Sequence, residues 1–129
     1  LQMLNRIERC PISISFNQVV AKGELVRIFS PLTVEAITEA LPLNSRTFLW
    51  KEEIYFDIPV AAGPEKARST VQPGDIAYWP PGKAFCIFFG KTQPYSAVNI
   101  IGKITSDLEQ LRNVRQGEYV KVRVDEGGK

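Results

Sequence analysis

The residues best able to do chemistry in this 129-residue chain form a charged set and an aromatic set that overlap between positions 46 and 57. Arg46, Glu52, Glu53 and Asp57 could gather into a charged cluster. In it, Arg46 could donate to a ligand carbonyl, or to an amide nitrogen as it loses conjugation. That is electrostatic catalysis without proton transfer. The competing reading is a solvated ion pair on a loop, worth about 0–1 kcal/mol. The aromatic set is Trp50, Tyr55, Tyr78, Trp79, Phe85 and Phe88. Rigid aromatics lose little entropy on binding, so they could line a groove for a peptide segment or a small apolar ligand. Phe85 and Phe88 read first as core filling. Trp50, Tyr55 and Tyr78 carry polar tips and suit a groove or a core equally. Asn99 interrupts an apolar run, and a buried amide needs partners, either in a pocket or in a structural hydrogen bond. The candidate site is therefore Arg46 as a catalytic residue, with Trp50, Tyr55, Tyr78, Trp79, Phe85 and Asn99 as ligand-binding residues.

The exclusions are equally informative. The chain has no histidine. This removes histidine triads, the usual acid–base group at neutral pH and the commonest metal ligand. Cys10 and Cys86 lie far apart in no metal-type spacing, so neither metal nor cofactor is expected. Two thiols without a signal-peptide pattern read as reduced, in a cytoplasmic setting. Gly90-Lys91-Thr92 lacks the upstream glycine of a phosphate loop, because Phe85 stands in its place. Glu52 and Glu53 are adjacent and point to opposite faces of a strand, so they make no carboxylate pair. A net charge of +2 with scattered basic residues argues against nucleic acid. No run approaches the ~18 apolar residues of a membrane span. Met3 is a candidate natural start, after Leu1 and Gln2.

The elements that must position these residues are mostly strands. Ile12 to Phe16 alternates apolar and polar residues, and Leu25 to Phe29 follows a turn at Ala21–Glu24. Ser30 reads as the N-cap of a helix with Pro31 at its first position, and Pro42 closes it. Residues 43–52 read as a polar stretch. In Glu53–Val60, Ile54, Phe56 and Ile58 share one face, while Tyr55 and two carboxylates take the other. Short strands are expected over Arg68–Val71, Ile76–Trp79 and Ala84–Phe89. The last two flank Pro80-Pro81-Gly82-Lys83, a stiff turn in which Gly82 would take a positive dihedral. Ala84–Phe89 is apolar on both faces, as in a strand covered on both sides. Ala97–Ile104 is another strand. Ser106-Asp107-Leu108-Glu109 is a capping box opening a short helix to Asn113, and Glu118–Val124 a final strand. Residues 1–5 and 125–129 read as frayed ends of one domain spanning 1–129. About eight strands and two short helices, joined by hairpin-like turns, argue for a closed antiparallel barrel with helices over its open ends.

Two segments resemble cyclophilins, the peptidyl-prolyl isomerases: Gly23–Pro31 with Thr33–Ile37, and Val98–Ile104 with Asp107–Val114. A fuller likeness covers nearly the whole chain. Gly74–Gly82, Phe85–Gly90, Trp50–Phe56 and the segment around Asn99 resemble the small, single-domain cyclophilin-like proteins of prokaryotes. That resemblance implies a mainly β, closed eight-stranded antiparallel barrel with two short capping helices. It implies no settled activity. Cyclophilins carry their catalytic arginine in a Phe-His-Arg-Val strand followed by Phe-Met-x-Gln-Gly-Gly. Here Arg46 has no such neighbours, and Lys51 and Ile54 fall where the phenylalanine and glutamine would stand. Gly82-Lys83-Ala84-Phe85-Cys86 replaces Gly-Ser-Gln-Phe-Phe, so Arg46 and Phe85 are analogues in kind only. The leading expectation is a binding module for a peptide segment or small apolar ligand in an aromatic groove. A weak prolyl isomerase using Arg46 is the first alternative. A homo-oligomer that buries its aromatic face is the second.

Overall fold

Alternation of Ile12 and Ile14 with serines, and of Ala21, Gly23 and Leu25 with polar residues, builds the first hairpin of the barrel. The computed structural model describes residues 8–126. The strands are β1 (Arg9–Ser15), β2 (Val20–Val26), β3 (Leu43–Arg46), β4 (Phe48–Trp50), β5 (Glu53–Asp57), β6 (Asp75–Trp79), β7 (Ala84–Phe88), β8 (Asn99–Ile104) and β9 (Tyr119–Val124). They form one sheet in the order β3-β9-β1-β2-β8-β6-β7-β5-β4. Its two outer strands, β3 and β4, are consecutive in the chain with only Thr47 between them. The sheet therefore curls into a nearly closed barrel whose seam is a stretch of covalent backbone.

Nine strands among the described residues, rather than the expected eight, arise from two local differences. The polar segment 43–50 is not a loop. Leu43–Arg46 pairs with β9, and Phe48–Trp50 turns away at Thr47 to pair with β5. Thr47 is buried and makes the bend possible. Its N–H donates to Glu118 O at 2.9 Å, its carbonyl accepts from Gly117 N–H at 2.8 Å, and its hydroxyl donates to Arg115 O at 2.7 Å. Conversely, Arg68–Val71 forms no strand: Arg68 makes a single two-way bridge with Val98, and the Val71 N–H is taken by the Gln93 side chain at 2.9 Å.

The helix α1 (Pro31–Ala40) rests Val34 and Ile37 on the barrel. Its start is where Ser30-Pro31 predicts, but Ser30 does not cap it. Glu65 does so from across the fold, accepting from Leu32 N–H and Thr33 N–H at 2.9 Å each and from the Thr33 hydroxyl at 2.7 Å. The second expected helix is only a 310 turn, Glu109–Asn113. Its capping serine is occupied elsewhere, because Ser106 Oγ accepts from Lys22 N–H at 2.9 Å. Residue 125, expected to fray, is held: Asp125 N–H donates to Pro11 O at 2.9 Å, and its carboxylate pairs with Lys22 at 3.1 Å. Residues 1–5 and 127–129 lie outside the described residues. No helix among the described residues is long and apolar enough to cross a membrane.

The core divides by strand alternation. The inward set, including Ile12, Ile14, Leu25, Ile54, Phe56, Ile76, Tyr78, Phe85, Ile87 and Ile101, fills the barrel. The outward set of β6, β7 and β8 is apolar too, and forms a second buried cluster of Val71, Ala77, Ala84, Cys86, Phe88, Val98 and Ile100. β7 is buried along both faces, as its apolar run predicts.

Candidate functional site

The second cluster is the floor of a cavity on the outside of the barrel. Register puts Tyr55 opposite Cys86, Glu53 opposite Phe88, and Trp79 opposite Ala84. Glu53 and Tyr55 are two apart on β5 and so share the outward face with these residues. The segment between β7 and β8 arches over this face and brings Pro94 and Tyr95 to it. The space enclosed is about 320 Å³, lined by Trp50, Glu53, Tyr55, Trp79, Cys86, Pro94, Tyr95 and Val98. Glu53 is the only charged residue among them.

Local chemistry fixes each wall. Trp79 leads directly into a 310 turn at Pro80–Gly82, with Lys83 as its left-handed cap at φ 50°. The positive dihedral therefore falls on Lys83, not on Gly82 as the sequence suggests. Gly82 is needed for a different reason: a Cβ there would come within 2.7 Å of the Trp79 ring, which lies against the turn. On its other side, Trp79 Nε1–H donates to Ser96 Oγ at 2.7 Å, and the ring meets Tyr95 edge-on at 6.2 Å between centroids. Tyr55 stacks on Phe48 of β4 at 5.5 Å. The arch is anchored by Glu52, whose carboxylate accepts from Lys91 N–H at 2.8 Å and pairs with Arg112 at 2.8 Å. The Lys91 N–H and then Arg112 hold the Glu52 carboxyl below its ordinary range. Gly90 permits this close approach, since a Cβ would fall 2.2 Å from the Glu52 carboxyl carbon.

Glu53 is 6% exposed, and no ion pair among the described residues includes it. Burial among apolar groups pushes its pKa up to about 7, and a hydrogen bond with the Cys86 thiol pulls weakly the other way. Burial, and then the Glu53 charge, push the Cys86 thiol well above its usual value. Cys86 is therefore held as a thiol, a donor rather than a nucleophile. A wider and shallower hollow of about 690 Å³ adjoins the cavity. It shares Trp50, Pro94 and Tyr95 and is bordered by Lys51, Glu52 and Lys91. The Lys51 ammonium lies 5.1 Å from the Trp50 ring centroid. No group of three or more His, Cys, Asp or Glu among the described residues is placed to hold a metal ion.

Of the residues expected to form a site, Trp50, Tyr55 and Trp79 come together in the cavity. The other four are placed elsewhere. Tyr78 is fully buried on the inward face of β6, where its hydroxyl donates to Val60 O at 2.5 Å and accepts from Ala62 N–H at 3.2 Å. Adjacent strand residues point apart, so Tyr78 and Trp79 cannot share a groove. Phe85 faces inward for the same reason and stacks on Phe56 at 5.0 Å. Asn99 is a structural clamp: Nδ2 donates to Thr33 Oγ1 at 3.1 Å and Gly63 O at 3.0 Å, and Oδ1 accepts from Glu65 N–H at 2.8 Å. Arg46 does not line the cavity. Its guanidinium sits over the Tyr119 ring at 4.1 Å and donates to the Tyr119 hydroxyl at 2.7 Å. Sequence reasoning missed Cys86, Pro94, Tyr95 and Val98, and it grouped Glu53 with Arg46, Glu52 and Asp57, none of which lines the cavity with it. A signal for Glu53 was present: it shares a face with Tyr55 beside a strand buried on both sides, so that face had to be covered.

The model of the family described as Cyclophilin-like matches residues 10–123. The chain is similar to the solution structure of a hypothetical protein, AF2241, from Archaeoglobus fulgidus. Identity is 41% over 92% of this chain and 96% of that one, with a TM-score of 0.80. It is also similar in fold to McbB, solved in complex with tryptophan. Identity there is 18% over 89% of this chain and 45% of that one, with a TM-score of 0.75. No curated protein matches.

Proposed function

Because the chain belongs to the cyclophilin-like family, whose members' shared fold leaves function to the site, we propose that it is a binding protein. It takes a small apolar ligand, or the side chain of a peptide segment, in the cavity on the outer face of the barrel. One observation carries this reading: Trp50, Tyr55, Trp79 and Tyr95 converge on a space of about 320 Å³ above a second buried apolar layer. A cavity of that volume accommodates a small organic molecule. Aromatic walls anchored by the Ser96 and Glu52 contacts are pre-organised, which limits the entropy lost on binding. McbB, of which 45% matches this chain in fold, was solved in complex with tryptophan, and an aromatic ligand is one class the screen below includes.

A prolyl-isomerase reading draws no support from Arg46, whose guanidinium is engaged by Tyr119. Self-association draws its support from a different surface: Ile28 and Leu32 are 67% and 72% exposed just before and within the first turn of α1.

The test is a small-molecule and peptide screen read by thermal shift and tryptophan fluorescence. A ligand of the cavity raises Tm and perturbs the fluorescence, and Trp50→Ala weakens its binding at least tenfold. Hits that are indifferent to Trp50→Ala and Trp79→Phe would overturn the reading.

A further inference from the structure

We propose that the cavity selects an organic ammonium ion, an amine carrying small apolar substituents, with Glu53 as its counter-charge and Trp50, Tyr55, Trp79 and Tyr95 as its cage. This rests on the reading of the cavity as a binding site and names the chemistry of its ligand. Three features of the geometry converge. The only charged group lining the cavity is a carboxylate, 6% exposed and with no cation paired to it among the described residues. Four aromatic rings line the same space, and ring faces attract a cation while tolerating its apolar substituents. The neighbouring hollow is bordered by Lys51, Lys91 and Glu52, and the Glu52 carboxylate is already paired with Arg112, so the unpaired charge there is positive and a cation is drawn to the narrow space instead.

A bare metal ion does not fit this arrangement, because one carboxylate and one thiol supply too few ligands and the remaining walls are apolar. A neutral apolar ligand would fill the volume but leave the carboxyl without a partner better than the Cys86 thiol, and an unmatched buried polar group is costly. An ammonium ion answers both needs. Its charge meets Glu53, and its alkyl groups meet the rings.

The other groups that line the cavity beside Glu53 are Tyr55 on its own strand, Trp50 opposite it on β4, the Cys86 thiol on β7 and Tyr95 on the arch, while Lys51 lies over the Trp50 ring and borders the neighbouring hollow. On this face β6 presents Ala77 and Trp79, with Asp75 farther along it, and β8 presents Ile100, with Val98 just before the strand. Cation binding would favour ionised Glu53 and release a proton below neutrality, so affinity rises with pH and levels off above about pH 7.

The experiment is calorimetric titration of the intact protein at pH 8 with three probes: choline, its neutral isostere 3,3-dimethylbutan-1-ol, and indole. Choline should bind at least tenfold more tightly than the alcohol. Glu53→Gln should bring the two to equal affinity, with its fold verified by circular dichroism, and Trp50→Leu should weaken both. Choline affinity should also fall about tenfold between pH 7 and pH 5.5. Equal binding of choline and the alcohol by the native protein would overturn the inference. So would binding of indole alone, although the cavity would then remain a ligand site. Failure of all three probes would overturn both the inference and the binding reading for ligands of this size.

Discussion

Glu53 is buried on a face that the neighbouring strand makes apolar, so its titration belongs to the folded state. Its folded pKa of about 7 lies above the ordinary 4.5. Between those values the folded chain holds a proton that the unfolded chain has released. Stability therefore falls as pH rises from 4.5 to about 7 and levels off beyond. Glu53→Gln should remove that slope and stabilise the free protein at pH 8 by roughly 2–3 kcal/mol, read from urea unfolding at pH 5 and pH 8. Glu65 behaves oppositely. Burial tends to raise its pKa, but the Leu32 and Thr33 N–H groups and the Thr33 hydroxyl outweigh this and hold it low. Its contribution is present above the ordinary carboxylate range and is lost as pH falls through its depressed value. Glu65→Ala should cost about 1–2 kcal/mol at pH 7, the usual loss of a helix cap, and less near pH 3, measured by the same unfolding series.

At the scale of the element, the arch between β7 and β8 decides whether the cavity is shaped or merely open. Its base is the Gly90 contact with the Glu52 carboxylate, and its span is fixed by the Trp79–Ser96 hydrogen bond. Gly90→Ala should displace the arch, cutting ligand affinity severalfold while moving Tm by only a few degrees. A large loss of Tm with unchanged affinity would place the arch in the fold rather than the site. Much of the element scheme was legible in the sequence: the strand alternation in β1, β5 and β9, the turn at Pro80-Pro81, and the start of α1. The bent strand pair at 43–50 was not, because no hydrophobic period marks it and its bend depends on partners some 70 residues away, Arg115 to Glu118. Capping was misread for a related reason. Ser30 and Ser106 have the local grammar of caps, yet Glu65 caps α1 from across the fold, and the Glu109 N–H donates to Asp107, two residues before it, instead of to Ser106. The aromatic site was half legible: residue type identified Trp50, Tyr55 and Trp79, but the choice of groove residues ignored the alternation that separates Tyr78 from Trp79.

At the scale of the whole molecule, the barrel depends on a seam one residue wide. Thr47 ties β3 and β4 to the 115–118 turn through backbone and hydroxyl. Thr47→Val keeps the shape and strands the Arg115 carbonyl and Glu118 N–H, so it should cost about 1–3 kcal/mol in chemical denaturation. Hydrogen exchange should show the loss concentrated in β3, β4 and β9. A uniform loss across the sheet would mean that the seam is not a separate unit of stability.

The two apolar layers have a consequence for descent. Along β6 and β7, every second side chain belongs to the barrel interior and the intervening ones to the outer cavity. Selection on ligand preference and selection on foldability therefore act on alternate letters of the same words. Replacing Trp79 or Cys86 reshapes the wall of the outer cavity without replacing the inward-facing Tyr78, Phe85 or Ile87. A lineage built on this barrel can thus vary the outer cavity by small steps while the inner letters keep the architecture.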